Sequence, residues 1–147
     1  MDKTKQVNQE KKVLTIKIPK DSAYATGKRK SAIAKVWLFS GSGRVSINNY
    51  EASSYLQRDR LVTDITEALK VLDLDKKYDI VAKCLGGGIS GQAQAIKLGV
   101  ARACVELNET FKKPLRLNSL LTRDSRIKER KKYGRRGARK RPQYRKR

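Results

Sequence analysis

The chain has 147 residues, 38% of them hydrophobic, and sets 36 Lys and Arg against 14 Asp and Glu for a formal net charge of +22. That length holds one domain of about a hundred residues plus extensions. With no His and only two Cys, the chain lacks a His-based general base, a His-containing metal site and the ligands of a structural zinc cage.

Residues 1–12 are polar and carry neither the apolar core of a secretory signal nor the Arg/Ser-rich, acid-poor character of a transit peptide. No run approaches transmembrane length, and the basic segments lack the anchors of a membrane-surface helix, so no membrane partner is expected. Leu14, Ile16 and Ile18 alternate within Val13 to Ile18, which predicts a short strand ended by Pro19. Ile33 to Phe39, rich in β-branched and aromatic residues, reads as the next strand. Gly41-Ser42-Gly43 turns it into Arg44 to Ile47, the pattern of a hairpin.

From Leu61 the apolar positions Leu61, Ile65, Ala68, Leu69 and Leu72 recur at helical spacing, with Asp64, Glu67 and Lys70 facing away. Tyr78 to Leu85 is a further strand, ended by Gly86-Gly87-Gly88. A helix follows from about Ser90 to Asn108, with Ile96, Val100, Ala103, Cys104 and Leu107 on its buried stripe. Ala93, Ala95, Gly99 and Ala101 would let that helix approach a sheet closely. Cys84 and Cys104 fall inside apolar runs, as free thiols of a reducing compartment do. Strands alternating with helices indicate a mixed α/β layer. Past Pro114 the chain becomes progressively basic, and Gly137 and Pro142 exclude a long regular helix there.

Fourteen of the 25 residues from Arg123 to Arg147 are Lys or Arg, against only Asp124 and Glu129. Such a segment repels itself and has almost nothing to bury, so it does not fold alone. A solubilising tail is the bland alternative, but acidic residues serve that purpose better. Nucleic-acid phosphates instead supply free energy through counterion release. Phosphate contacts are therefore expected from Arg123, Arg126, Arg130, Lys131, Lys132, Arg135, Arg136, Arg139, Lys140 and Arg141. Arg predominates toward the end, which suits bidentate phosphate recognition. At about 3.3 Å per residue, the stretch from Arg130 reaches ~60 Å.

Within the domain, Lys28-Arg29-Lys30 precedes a strand and is expected to contact phosphate rather than water alone. Gly86-Gly87-Gly88-Ile89-Ser90-Gly91 satisfies G-x-G-x-x-G between a strand and a helix. The acidic residue and second strand of a dinucleotide unit do not follow, which leaves close backbone packing or an RNA phosphate at the helix start. Lys97 and Arg102 are exposed basic candidates on the following helix. Tyr24 and Trp37 could stack on bases, but aromatic residues in strands are more often core, and Trp37 is assigned there. Asp64, Glu67, Asp73, Asp75 and Asp79 read as solvated surface charges, and no cofactor or catalytic residue is expected.

Three blocks then carry a resemblance: Tyr24 to Ala34 (YATGKRKSAIA), Gly86 to Ala103 (GGGISGQAQAIKLGVARA) and Leu120 to Arg147 (LLTRDSRIKERKKYGRRGARKRPQYRKR). Together they resemble the family of the ninth protein of the small ribosomal subunit, over roughly residues 24–147. The resemblance implies an α+β two-layer sandwich of the kind named after the second domain of ribosomal protein S five, with a long extended basic tail. It divides the chain into an N-terminal extension, 1–23, a globular RNA-binding domain, 24–122, and the tail, 123–147. It also implies ribosomal RNA of the subunit head as partner, with Gln92 among the binding residues, beside neighbouring head proteins. By the same likeness Lys146 and Arg147 lie against the phosphates of the peptidyl-site tRNA, and the adjoining Arg145 is expected to join them. Bacterial relatives commonly end Gln-Phe-Ser-Lys-Arg, whereas this chain reads Gln143-Tyr144-Arg145-Lys146-Arg147. The opening block resembles alphaproteobacterial and mitochondrial forms, which points to a mitochondrial ribosome ahead of a bacterial cytoplasmic one. The rival classes are a nucleotide-binding enzyme built on a related fold and an RNA binder that works away from ribosomes.

Overall fold

The computed structural model describes residues 16–146. Its strands are β1 (Ala23–Arg29), β2 (Ala32–Ser40), β3 (Val45–Ile47), β4 (Tyr50–Glu51) and β5 (Tyr78–Leu85), and its helices are α1 (Ala52–Leu56), α2 (Asp59–Lys70), α3 (Ile89–Leu107) and α4 (Lys112–Leu117). The strands form one sheet in the order β1-β2-β5-β3-β4. Helix α3 packs against β1 and β2, with α2 beside it, so the helices cover one face and the fold is the α+β two-layer class expected.

Strand β1 carries no large apolar residue on its helix-facing side, which holds Ala23, Ala25, Gly27 and Arg29. Sequence periodicity therefore does not announce it. The cause is the closeness of α3. A Cβ on Gly27 would sit 1.9 Å from the Ala95 carbonyl oxygen, and one on Gly99 would sit 2.6 Å from Val36 Cγ2. Backbone lies against backbone here, and only glycine permits it. The small residues anticipated on α3 (Ala93, Ala95, Gly99, Ala101) are all buried. Leu107, expected on the buried stripe, is 37% exposed because the helix ends there.

Two strand expectations are corrected. Residues 13–15 of the predicted first strand lie outside the described residues, and residues 16–18 carry no strand. The predicted hairpin across Gly41-Ser42-Gly43 is a crossing instead. β2 pairs antiparallel with β5, and β3 pairs parallel with the other edge of β5. Asp79 makes the crossing possible. Its buried carboxylate accepts from the Ser42 amide at 2.7 Å and the Arg44 amide at 2.8 Å. Asp79 is thus a structural acid and not a solvated charge.

Helix α2 begins at Asp59, just ahead of the apolar stripe that starts at Leu61, and α1 and α4 are short helices that periodicity does not reveal. Trp37 is also misassigned by sequence. Alternation in β2 sends Val36 and Leu38 into the core, which leaves Trp37 half-buried on the face away from the helices.

Candidate nucleic-acid interface

The β1–β2 turn, Lys30-Ser31, is a two-residue connection, with Lys30 at φ +52°. It projects Lys28 and Lys30 into solvent but withdraws Arg29. Arg29 is 8% exposed, and its guanidinium is fully engaged within the chain. It donates to Gln94 Oε1 at 2.7 Å and to the Arg126 carbonyl at 2.6 Å, and pairs with Asp124 Oδ2 at 2.8 Å. Arg29 therefore fastens the root of the tail to the body, in place of the phosphate contact expected. Asp124 is also chelated by Arg126, whose Nη2 lies 2.8 Å from Oδ2. Hydrogen bonds from the Arg126 side chain and backbone, with the Arg29 charge behind them, hold the Asp124 carboxyl well below the usual range.

The glycine turn separates into two functions. Gly86 and Gly87 have φ +69° and +65°, and a Cβ on either would meet Ser31 O at 2.7 Å or Ala32 Cβ at 2.9 Å. Both are required by the backbone. Gly88, at φ −101°, precedes the first turn of α3 and has nothing within 4 Å of its would-be Cβ. Of the three glycines of this turn, Gly88 alone has open space at its would-be Cβ, beside the free amides of the helix start. Gly87, Gly88, Gln57, Arg58, Lys30 and Ser31 line a groove of about 410 Å³. No strand follows α3 among the described residues, so a dinucleotide unit is not built.

Gln92, expected among the RNA-binding residues, has its amide occupied. It accepts from the Tyr55 hydroxyl at 2.8 Å and donates to the Gly86 carbonyl at 3.1 Å. Asn48 continues that network, accepting from the Cys84 amide at 2.8 Å. Lys97 is half-buried and ion-paired with Glu67 across α2 and α3, so it is not the free cation expected. Arg102 is exposed, with one donor on the Thr26 carbonyl at 3.0 Å. Sequence reasoning missed Arg58 and Arg60, both exposed at the start of α2. The Gln57-Arg58-Asp59-Arg60 run ahead of a helix was the available signal. Arg60, Lys28 and Lys97 share a second cavity of about 360 Å³ beside the tail root.

Burial raises both thiols, Cys84 and Cys104, to about 12, which keeps them neutral and unreactive. Beyond Arg126 the described tail has no α-helix or strand. A local loop closes where the Arg136 amide donates to the Lys140 carbonyl at 2.9 Å. Glu129 pairs with Lys132 at 3.3 Å and with Arg139 at 3.0 Å. Among the described residues, the hydrogen bonds and ion pairs of residues 127–146 stay within that segment. Lys128, Arg130, Lys131, Arg136, Lys140 and Arg141 of the tail, with Lys28 and Lys30 at the β1–β2 turn, face solvent, while Arg135 is half-buried. Arg145 and Lys146 are exposed, and Arg147 lies outside the described residues.

The family model described as ribosomal protein S9/S16 matches residues 27–147, turn, glycine segment and tail together. The chain belongs to this family. It is 50% identical over 123 residues to the small ribosomal subunit protein uS9 of Thermosynechococcus vestitus, covering 83% of this chain and 90% of that protein. It is likewise 50% identical over 124 residues to uS9 of Syntrophobacter fumaroxidans, covering 84% and 95%. It is 49% identical to uS9c of Mesostigma viride over 83% of this chain and 90% of that protein. The chain is accordingly a structural, non-enzymatic constituent of the small ribosomal subunit.

Proposed function

We propose that this S9-family protein binds small-subunit ribosomal RNA in the head, beside neighbouring head proteins, and runs its tail to the peptidyl-site tRNA. The carrying observation is the tail itself. Residues 127–146 hold eleven Lys and Arg against Glu129 alone, and among the described residues they have no hydrogen-bond or ion-pair partner on the body. An uncompensated cationic arm of this density is stable beside phosphates and unstable collapsed on itself.

The body contributes Lys28, Lys30 and Arg102, together with the Gly88 amide region, and the tail contributes Arg123 and the cations from Arg130 to Arg141. Arg29, Gln92 and Lys97 act in this reading by positioning. Arg29 aims the tail, Gln92 holds the glycine turn, and Lys97 ties α2 to α3. Arg145, Lys146 and Arg147 reach the tRNA backbone. Deleting Lys146 and Arg147 weakens retention of peptidyl-site tRNA by assembled subunits in a filter-binding measurement, while the subunits sediment normally. Undiminished retention defeats the tRNA role. A mitochondrial ribosome is the preferred location ahead of a bacterial one, on the opening block and the altered Gln143-Tyr144-Arg145-Lys146-Arg147 ending. Fractionation of the source cells decides it.

A further inference from the structure

The sheet face turned away from the helices presents a row of aromatic and basic side chains. Tyr24 and Trp37 are direct cross-strand partners, with ring centroids 5.3 Å apart and planes tilted 44°. Tyr24 is 45% exposed, although a tyrosine in a strand is ordinarily covered. The next row sets Lys35 directly opposite Lys83, both exposed. Like charges facing across a ladder repel and destabilise the pair. The Lys83 ammonium lies 5.8 Å from the Trp37 ring centroid, which offers one partial outlet. Lys28 extends the positive row on β1. The acid of this face on β1, β2 and β5 is Asp79, whose carboxylate is buried and taken by the Ser42 and Arg44 amides.

Resting on the reading of the chain as an RNA binder, we infer that this face is a second RNA site, one that stacks unpaired bases on Tyr24 and Trp37. Flat rings accept any base, while Lys35, Lys83 and Lys28 neutralise the adjoining backbone. The facing lysines are relieved when a phosphate lies between them. Double-stranded RNA, whose bases are already stacked and paired, has no use for the rings. The tail needs phosphates alone, so single strand and duplex distinguish the two surfaces.

Trp37 is the chain's single tryptophan, so its emission reports this face directly. The full chain is titrated with a mixed-sequence oligoribonucleotide that does not self-pair, and separately with the same strand annealed to its complement. Anisotropy of a labelled RNA follows binding by any surface. The single strand quenches Trp37, and the duplex binds with little quenching. At salt high enough to screen the tail, Tyr24→Ala weakens single-strand binding on the order of tenfold, and Tyr24→Phe restores it. RNA that binds with Trp37 emission unchanged overturns this site and leaves the proposed function standing. Absence of binding to either RNA overturns both. Emission that responds to other small-subunit proteins but not to RNA makes the face a protein contact, and the inference fails.

Discussion

Arg29 shows how a cation in a basic cluster can serve the fold instead of the ligand. Lys28, Arg29 and Lys30 are indistinguishable in sequence, and strand alternation alone sends the middle one inward against Gln94, Asp124 and the Arg126 carbonyl. Arg29→Ala should cost on the order of 2 kcal/mol by chemical denaturation, since it leaves acceptors at the tail root unsatisfied. Limited proteolysis at Arg123 and Arg126 should accelerate in the same variant. Asp124 predicts the pH response. Its carboxyl is held below the ordinary value of about 4, so its contribution is complete above that value. The contribution is lost only as pH falls through the lower folded value. The stability difference between the wild-type chain and Asp124→Asn, measured by denaturation at several pH values, should stay flat from neutral to mildly acidic solution. It should shrink only in strong acid.

At the scale of elements, the glycine turn separates backbone demand from ligand access. Gly87→Ala should destabilise the chain by about 2 kcal/mol, for its left-handed φ and its closeness to Ala32. Gly88→Ala should leave stability within about 0.5 kcal/mol and weaken RNA binding, because its added methyl enters the open groove. Thermal melts beside RNA titrations check both. The long elements β2, β5 and α3 were legible because their apolar periodicity is complete. β1 was not, since the closeness of α3 replaced large side chains with Ala and Gly. The false hairpin at Gly41-Ser42-Gly43 arose because glycine marks a turn without saying which edge the next strand joins. That choice is made by Asp79, 36 residues beyond Gly43 in sequence. Of the candidate site, the tail was legible from charge alone. The diversion of Arg29, Gln92 and Lys97 to internal partners was not, because pairing with Asp124, Gly86 and Glu67 exists only in three dimensions.

Across the whole molecule, the charge is divided between a body that buries a core and an arm that buries almost nothing. The body is fastened to the arm at Asp124 and Arg126, so removing residues 127–147 should leave the unfolding midpoint of the body unchanged. The same deletion should remove most of the electrostatic binding, which makes salt dependence the sharpest test. The logarithm of affinity for small-subunit ribosomal RNA is measured against the logarithm of salt concentration, for the full chain and for the truncated one. With about ten phosphates neutralised, the full chain should show a slope of several units, and truncation should flatten it by roughly 0.7–0.9 for each phosphate no longer neutralised. An equal slope in both chains would contradict the account, because the arm's cations would then not be the groups that the RNA neutralises.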